Sequence, residues 1–166
     1  DATGLTATEL IAGDLLITEF MVKGISDPSD EWIEVLNTTN QTIDIFDLTL
    51  QDSSQSYTVS VHQIIEPDEY FLFMNNISIG VNGGLAPPLN GLYLDYSSVE
   101  FNDASDSIII SYSGVTITEI DYDQTFLYSS GVSSSVSDVS VLINNDFSLW
   151  CASSSLAYTD SSNGNQ

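Results

Sequence analysis

Apolar residues in this chain come in short runs broken by Gly, Pro, Asp, Asn and Ser clusters, and no useful length of it repeats them at helical spacing. Such a pattern restricts the fold to packed strands, a sandwich or barrel rather than alternating β and α units. The predicted strands begin with Leu15–Val22, apolar on both faces, followed by a loop at Asp27-Pro28-Ser29-Asp30. Next come Glu31–Asn37, then Thr42–Phe46 running on to Leu48–Leu50, and then the cleanly alternating Tyr57–Val61. Pro67-Asp68 marks a turn before Glu69–Met74, apolar enough for a central strand. Gly80–Gly91 has neither period and reads as a long surface loop. Ser113-Gly114, between Asp106–Tyr112 and Val115–Tyr122, is the strongest hairpin signal. A Ser-rich run from Ser129 to Ser137, an apolar Val139–Ile143 and a polar tail complete the chain.

Charge sets the second limit. Against 24 Asp and Glu stand one Lys, no Arg and one His, for a formal charge of -23 over 166 residues. Almost every carboxylate must therefore be solvated, accept a backbone or hydroxyl hydrogen bond, or attract a dissolved cation. Nucleic acid is excluded as a partner, since phosphate neutralisation needs clustered Lys and Arg. An acidic surface of this kind suits either life in salty water or specific cation binding.

Cys151 is alone, so no intrachain disulfide or cysteine zinc site forms, and a small buried residue is its default reading. No apolar stretch is long enough to insert into a membrane, and the opening Asp1-Ala2-Thr3-Gly4 reads as a mature product after removal of a signal peptide. Sequons at Asn37, Asn40 and Asn76 make these candidate glycosylation sites and agree with an extracellular or cell-surface location.

In order, the segments Asp14–Met21, Asp30–Val35 with Asn37, Thr42–Ile45 leading to Leu48–Asp52, Ile65–Tyr70, Asn102–Ile108, Val115–Tyr122 and Trp150-Cys151-Ala152 resemble the lamin tail domain family. The resemblance covers roughly 14–164, with Asp160–Asn165 standing where the family often has a Gly-Thr-Pro-Gly turn. It implies an all-β, immunoglobulin-like β-sandwich of about eight to nine strands that mediates contacts and is not an enzyme. Residues 1–13 are then an N-terminal extension or exchangeable strand, and 165–166 a tail.

Glu19 and Glu34 lie within apolar strands, where a carboxylate pair raises a glycosidase reading. The resemblance puts both at family motif positions, which favours a structural role. Asp27, Asp30 and Glu31 on one loop, and Asn102, Asp103 and Asp106 on another, concentrate oxygen ligands of the kind calcium prefers, though neither has the calcium-loop spacing. His62 lacks partners for a triad or a zinc site, and Lys23 is too isolated to hold a phosphate. The eight Tyr and two Trp serve either the core or a carbohydrate platform. Together these features lead to two expectations. The first is a non-catalytic extracellular structural or adhesive module, a self-associating surface, matrix or filament subunit joined through residues 1–13. The second is a calcium-assisted module that binds a surface glycan. No cofactor is required by either.

Overall fold

The computed structural model describes residues 4–124, 129–137 and 147–153. Its strands are β1 (Leu5–Thr6), β2 (Leu15–Met21), β3 (Trp32–Asn37), β4 (Ile43–Asp44), β5 (Thr49–Gln51), β6 (Ser56–Thr58), β7 (Ile64–Ile65), β8 (Tyr70–Met74), β9 (Tyr93–Asp95), β10 (Asp106–Tyr112), β11 (Val115–Tyr122), β12 (Ser134–Val136) and β13 (Trp150–Ala152). They form a six-stranded sheet β13-β12-β2-β3-β8-β9, a four-stranded sheet β11-β10-β5-β6 and a small sheet β1-β4-β7. The protein is an all-β, immunoglobulin-like sandwich, as the runs of short strands and the family resemblance imply.

Alternation along the strands builds the core. Leu15, Ile17 and Phe20 of β2, Ile33 and Val35 of β3, and Phe71 and Phe73 of β8 meet Leu50, Ile108, Ile110, Ile117 and Ile120 from the opposite sheet. Each such side chain, taken fully out of water, contributes ~1.5–3 kcal/mol. The β2–β3 register shifts between Ile17 and Glu19. That bulge lets Ile17 and Phe20 both face inward and sets Glu19 opposite Glu34. A second cluster explains why β2 is apolar on both faces: Met21, Trp32 and Met74 gather apart from the main core, with Leu72, Leu85 and Tyr93 packed on them.

The predicted hairpin forms with φ of 49° at Ser113 and 81° at Gly114, the left-handed pair that a two-residue type I′ connection requires. Pro67-Asp68 turns as expected, with Glu69 N–H donating to the Glu66 carbonyl at 3.1 Å. β8 is central, between β3 and β9.

Thirteen strands form among the described residues where eight or nine were expected. One cause is a turn inside Thr42–Leu50: Leu48 N–H donates to the Ile45 carbonyl at 3.1 Å and Asp47 takes φ 67°. The chain there leaves the small sheet as β4 and enters the four-stranded sheet as β5. β9 and the Ser-rich β12 gave no alternating signal and form by pairing with β8 and β2. Val139–Ile143 and Asp160–Asn165 lie outside the described residues.

Residues 5–10 dock on their own domain. β1 pairs in parallel with β4, Ala7 and Leu10 are buried in the main core, and the Glu9 carboxylate accepts the Thr6 N–H at 3.0 Å. Lys23 follows β2, which lies inside its sheet, and its carbonyl accepts from Gly131 N–H at 2.8 Å.

Candidate functional site

Three loops, 24–31, 52–55 and 99–106, bring acidic residues together around one cleft. The pivot is Glu31, immediately before β3 and 1% exposed. Its Oε1 accepts Phe101 N–H at 3.1 Å and its Oε2 accepts Asn75 Nδ2–H at 3.4 Å, which ties β3 to the third loop and to the end of β8. Burial pushes the Glu31 carboxyl up to about 9, with the charges of Asp27, Glu100 and Asp103 adding to it. Glu31 therefore keeps its proton at neutral pH.

The neighbouring carboxylates have different tasks. Asp30 is buried; its Oδ2 accepts Ile25 N–H at 2.7 Å and Ser26 N–H at 2.9 Å, while Oδ1 has no hydrogen-bond partner. Gly24 permits this close approach, because a Cβ there would lie 1.7 Å from Oδ1. Asp27 is exposed, and partial burial together with Asp103, Asp30 and Glu100 raises it to about 6. Asp106 accepts from Ser53 N–H and Asn102 N–H, both at 3.2 Å, and Asn102 in turn accepts from Ala104 N–H at 2.8 Å. Asp52 accepts from Ser54 N–H at 2.5 Å and from Gln55 N–H.

Between these loops opens a cleft of about 450 Å³ lined by Asp27, Asp52, Glu100, Asn102, Asp103 and Asp106. Asp27, Asp30 and Glu31 do not converge as one ligand set: one faces the cleft, one folds onto its own loop and one points inward. Among the described residues no three His, Cys, Asp or Glu side chains are arranged to hold a metal ion. The cleft is a focus of negative potential that attracts cations without a preformed cage.

Glu19 and Glu34 are opposite each other and both 6% exposed. Thr18 Oγ1 donates to Glu34 at 2.8 Å, Ser133 Oγ donates to Glu19 at 2.5 Å, and burial raises the Glu19 carboxyl. His62 meets Asp44 at 2.6 Å on the surface and stacks on Phe46 with ring centroids 4.4 Å apart. Both Trp are buried, and Phe20 sits between Tyr122 and Trp150, so these rings serve packing.

Two sequence expectations need correction. Cys151 is exposed rather than buried, because β13 lies at the sheet edge and turns it outward while Trp150 points in. Asn37 is no glycosylation site in the folded domain: it is 0% exposed, and its Nδ2 donates to the carbonyls of Gln41, Ile65 and Glu66. Asn40 is exposed, and Asn76 is half-buried. Asn75 and Asn82 are buried amides as well, and their only signal in the sequence is a polar residue set among apolar ones.

Among the described residues no helix is long and apolar enough to cross a membrane. A family model described as Lamin Tail Domain matches residues 11–124, which takes in β2 to β11 and stops before β12 and β13. No curated protein matches the chain.

Proposed function

The chain belongs to the lamin tail domain family, an immunoglobulin-like group of non-enzymatic modules often engaged in protein contacts, and on that premise we propose that it is an extracellular structural or adhesive module that binds protein, its own copies included. The observation that carries this reading is the use made of the buried carboxyls. Glu19, Glu31 and Glu34 each accept hydrogen bonds from the fold's own donors, so the groups suited to acid–base chemistry hold strands and loops together instead. Exposed Asn40, within a sequon, supports a place outside the cell. Light scattering of the full chain, with and without calcium, tests the reading. Oligomers support it; turnover of a glycoside or ester that is lost in Glu34→Gln overturns it.

The acidic cleft favours a second reading, calcium-assisted binding of a glycan. Asp27 is held up near 6 partly by neighbouring carboxylates, a repulsion that a cation would relieve. A glycan array that shows hits only without chelator would promote this reading over the first.

A further inference from the structure

Although the formal charge is -23, no charged residue occurs between Glu69 and Asp95. Within that stretch Ile77, Ile79, Val81 and Leu89 are 39%, 55%, 49% and 107% exposed, and Ile25, 68% exposed, stands on the adjoining loop. Asp30 joins the two loops: Ile25 N–H donates to its Oδ2, and a Cβ built on Gly83 would lie 3.2 Å from the same oxygen. The apolar residues are presented on a built loop. Asn82 Nδ2 donates to the Asn76 and Leu85 carbonyls, both at 2.8 Å, and Leu85 packs on Met21, Trp32 and Met74.

Local structure does not require the missing charge. Asn76 Oδ1 accepts Ser78 N–H and Asn90 Oδ1 accepts Leu92 N–H, the same two-residue turn that Asp44, Asp52 and Asp95 make with Phe46, Ser54 and Ser97. Asn37 and Asn102 form it with Thr39 and Ala104, so the turn takes either side chain, aspartate included. At Asn76 and Asn90 aspartate would set a charge beside the exposed apolar side chains.

We propose that this loop, together with Ile25, is the surface on which a second copy of the chain docks; the proposal rests on the protein-contact reading above. A basic partner would lose attraction by the loss of carboxylates at its contact. An equally acidic partner requires it, since facing carboxylates repel across any other meeting surface. A second copy is the acidic partner always at hand. A patch of a few exposed side chains falls below the size of stable interfaces, so the contact is weak and reversible. A glycan on Asn76 would cover it, so glycosylation and docking at this loop exclude each other.

Sedimentation equilibrium of the full, unglycosylated chain over a wide concentration range tests the proposal. Mass should rise with concentration, and more so at high salt, where the remaining repulsion is screened. The double variant Asn76→Asp/Asn90→Asp should weaken self-association by about tenfold or more. Asn40→Asp/Ser60→Asp, which adds equal charge at exposed positions elsewhere, should change it far less. A monomer at every concentration and salt overturns the proposal, while contact with a different protein could still stand. Self-association that ignores the loop variant but is lost on deleting residues 1–13 also overturns it, and assigns the contact to the N-terminal segment.

Discussion

The acidic loops around Asp106 and the uncharged loop around Asn82 have the same structural problem and solve it with different side chains. Both must satisfy backbone N–H groups that no strand partner reaches. Asp30, Asp52 and Asp106 do so with carboxylates, whereas Asn76, Asn82 and Asn90 do so with amides. The difference teaches that the charge of this protein is not a by-product of its turns. Where the amide also donates, as at Asn82, charge is forbidden; where it only accepts, as at Asn90, charge is optional.

The largest expected effect separates the two loops by pH. Glu31 has its carboxyl raised from 4.5 to about 9, so the folded state holds a proton that the unfolded chain releases. Its contribution to stability is complete below 4.5 and is lost as pH rises through 9, at up to about 1.4 kcal/mol per pH unit. Thermal unfolding followed across that window should show the melting temperature falling with pH, and Glu31→Gln should flatten the slope. Hydrogen exchange should report Phe101 N–H opening before the N–H groups of Val81 and Asn82. Simultaneous opening would break the comparison.

Next in size, Asn82→Asp should destabilise by about 3 kcal/mol in denaturant unfolding, because a buried carboxylate would face the Asn76 and Leu85 carbonyls without donors. Gly24→Ala should cost about 2 kcal/mol by driving a methyl group into Asp30 Oδ1 and displacing its bonds to Ile25 and Ser26. The counterpart Gly80→Ala, with nothing within 4 Å, should leave stability within about 0.5 kcal/mol of the parent. Asn90→Asp should also stay within about 0.5 kcal/mol, since the turn needs only an acceptor there. A larger loss at Asn90 would mean that its amide does more than accept.

Local chemistry made much of the fold legible. The Ser113-Gly114 hairpin, the Pro67-Asp68 turn and the apolar β8 follow from turn preference and side-chain period, which act within a few residues. The site was half legible. Asp27, Asn102, Asp103 and Asp106 do line one cleft, but their neighbours Asp30 and Glu31 face elsewhere. Nothing in the string Asp30-Glu31 distinguishes a ligand from a buried latch, because the partners of Glu31 are Phe101 and Asn75, far away along the chain. Asn37 is hidden for the same reason: a sequon is a local pattern, and two of the three carbonyls that occupy its amide, those of Ile65 and Glu66, come from far along the chain.

By itself, then, the sequence determined an acidic all-β sandwich of the lamin tail type, through strand period, turn residues and motif order. Only the tertiary structure decided which carboxyls are buried, that Cys151 is exposed, and that an uncharged loop lies beside an acidic cleft. Period and turn preference act between near neighbours, whereas burial and electrostatic environment depend on what the fold brings from elsewhere in the chain.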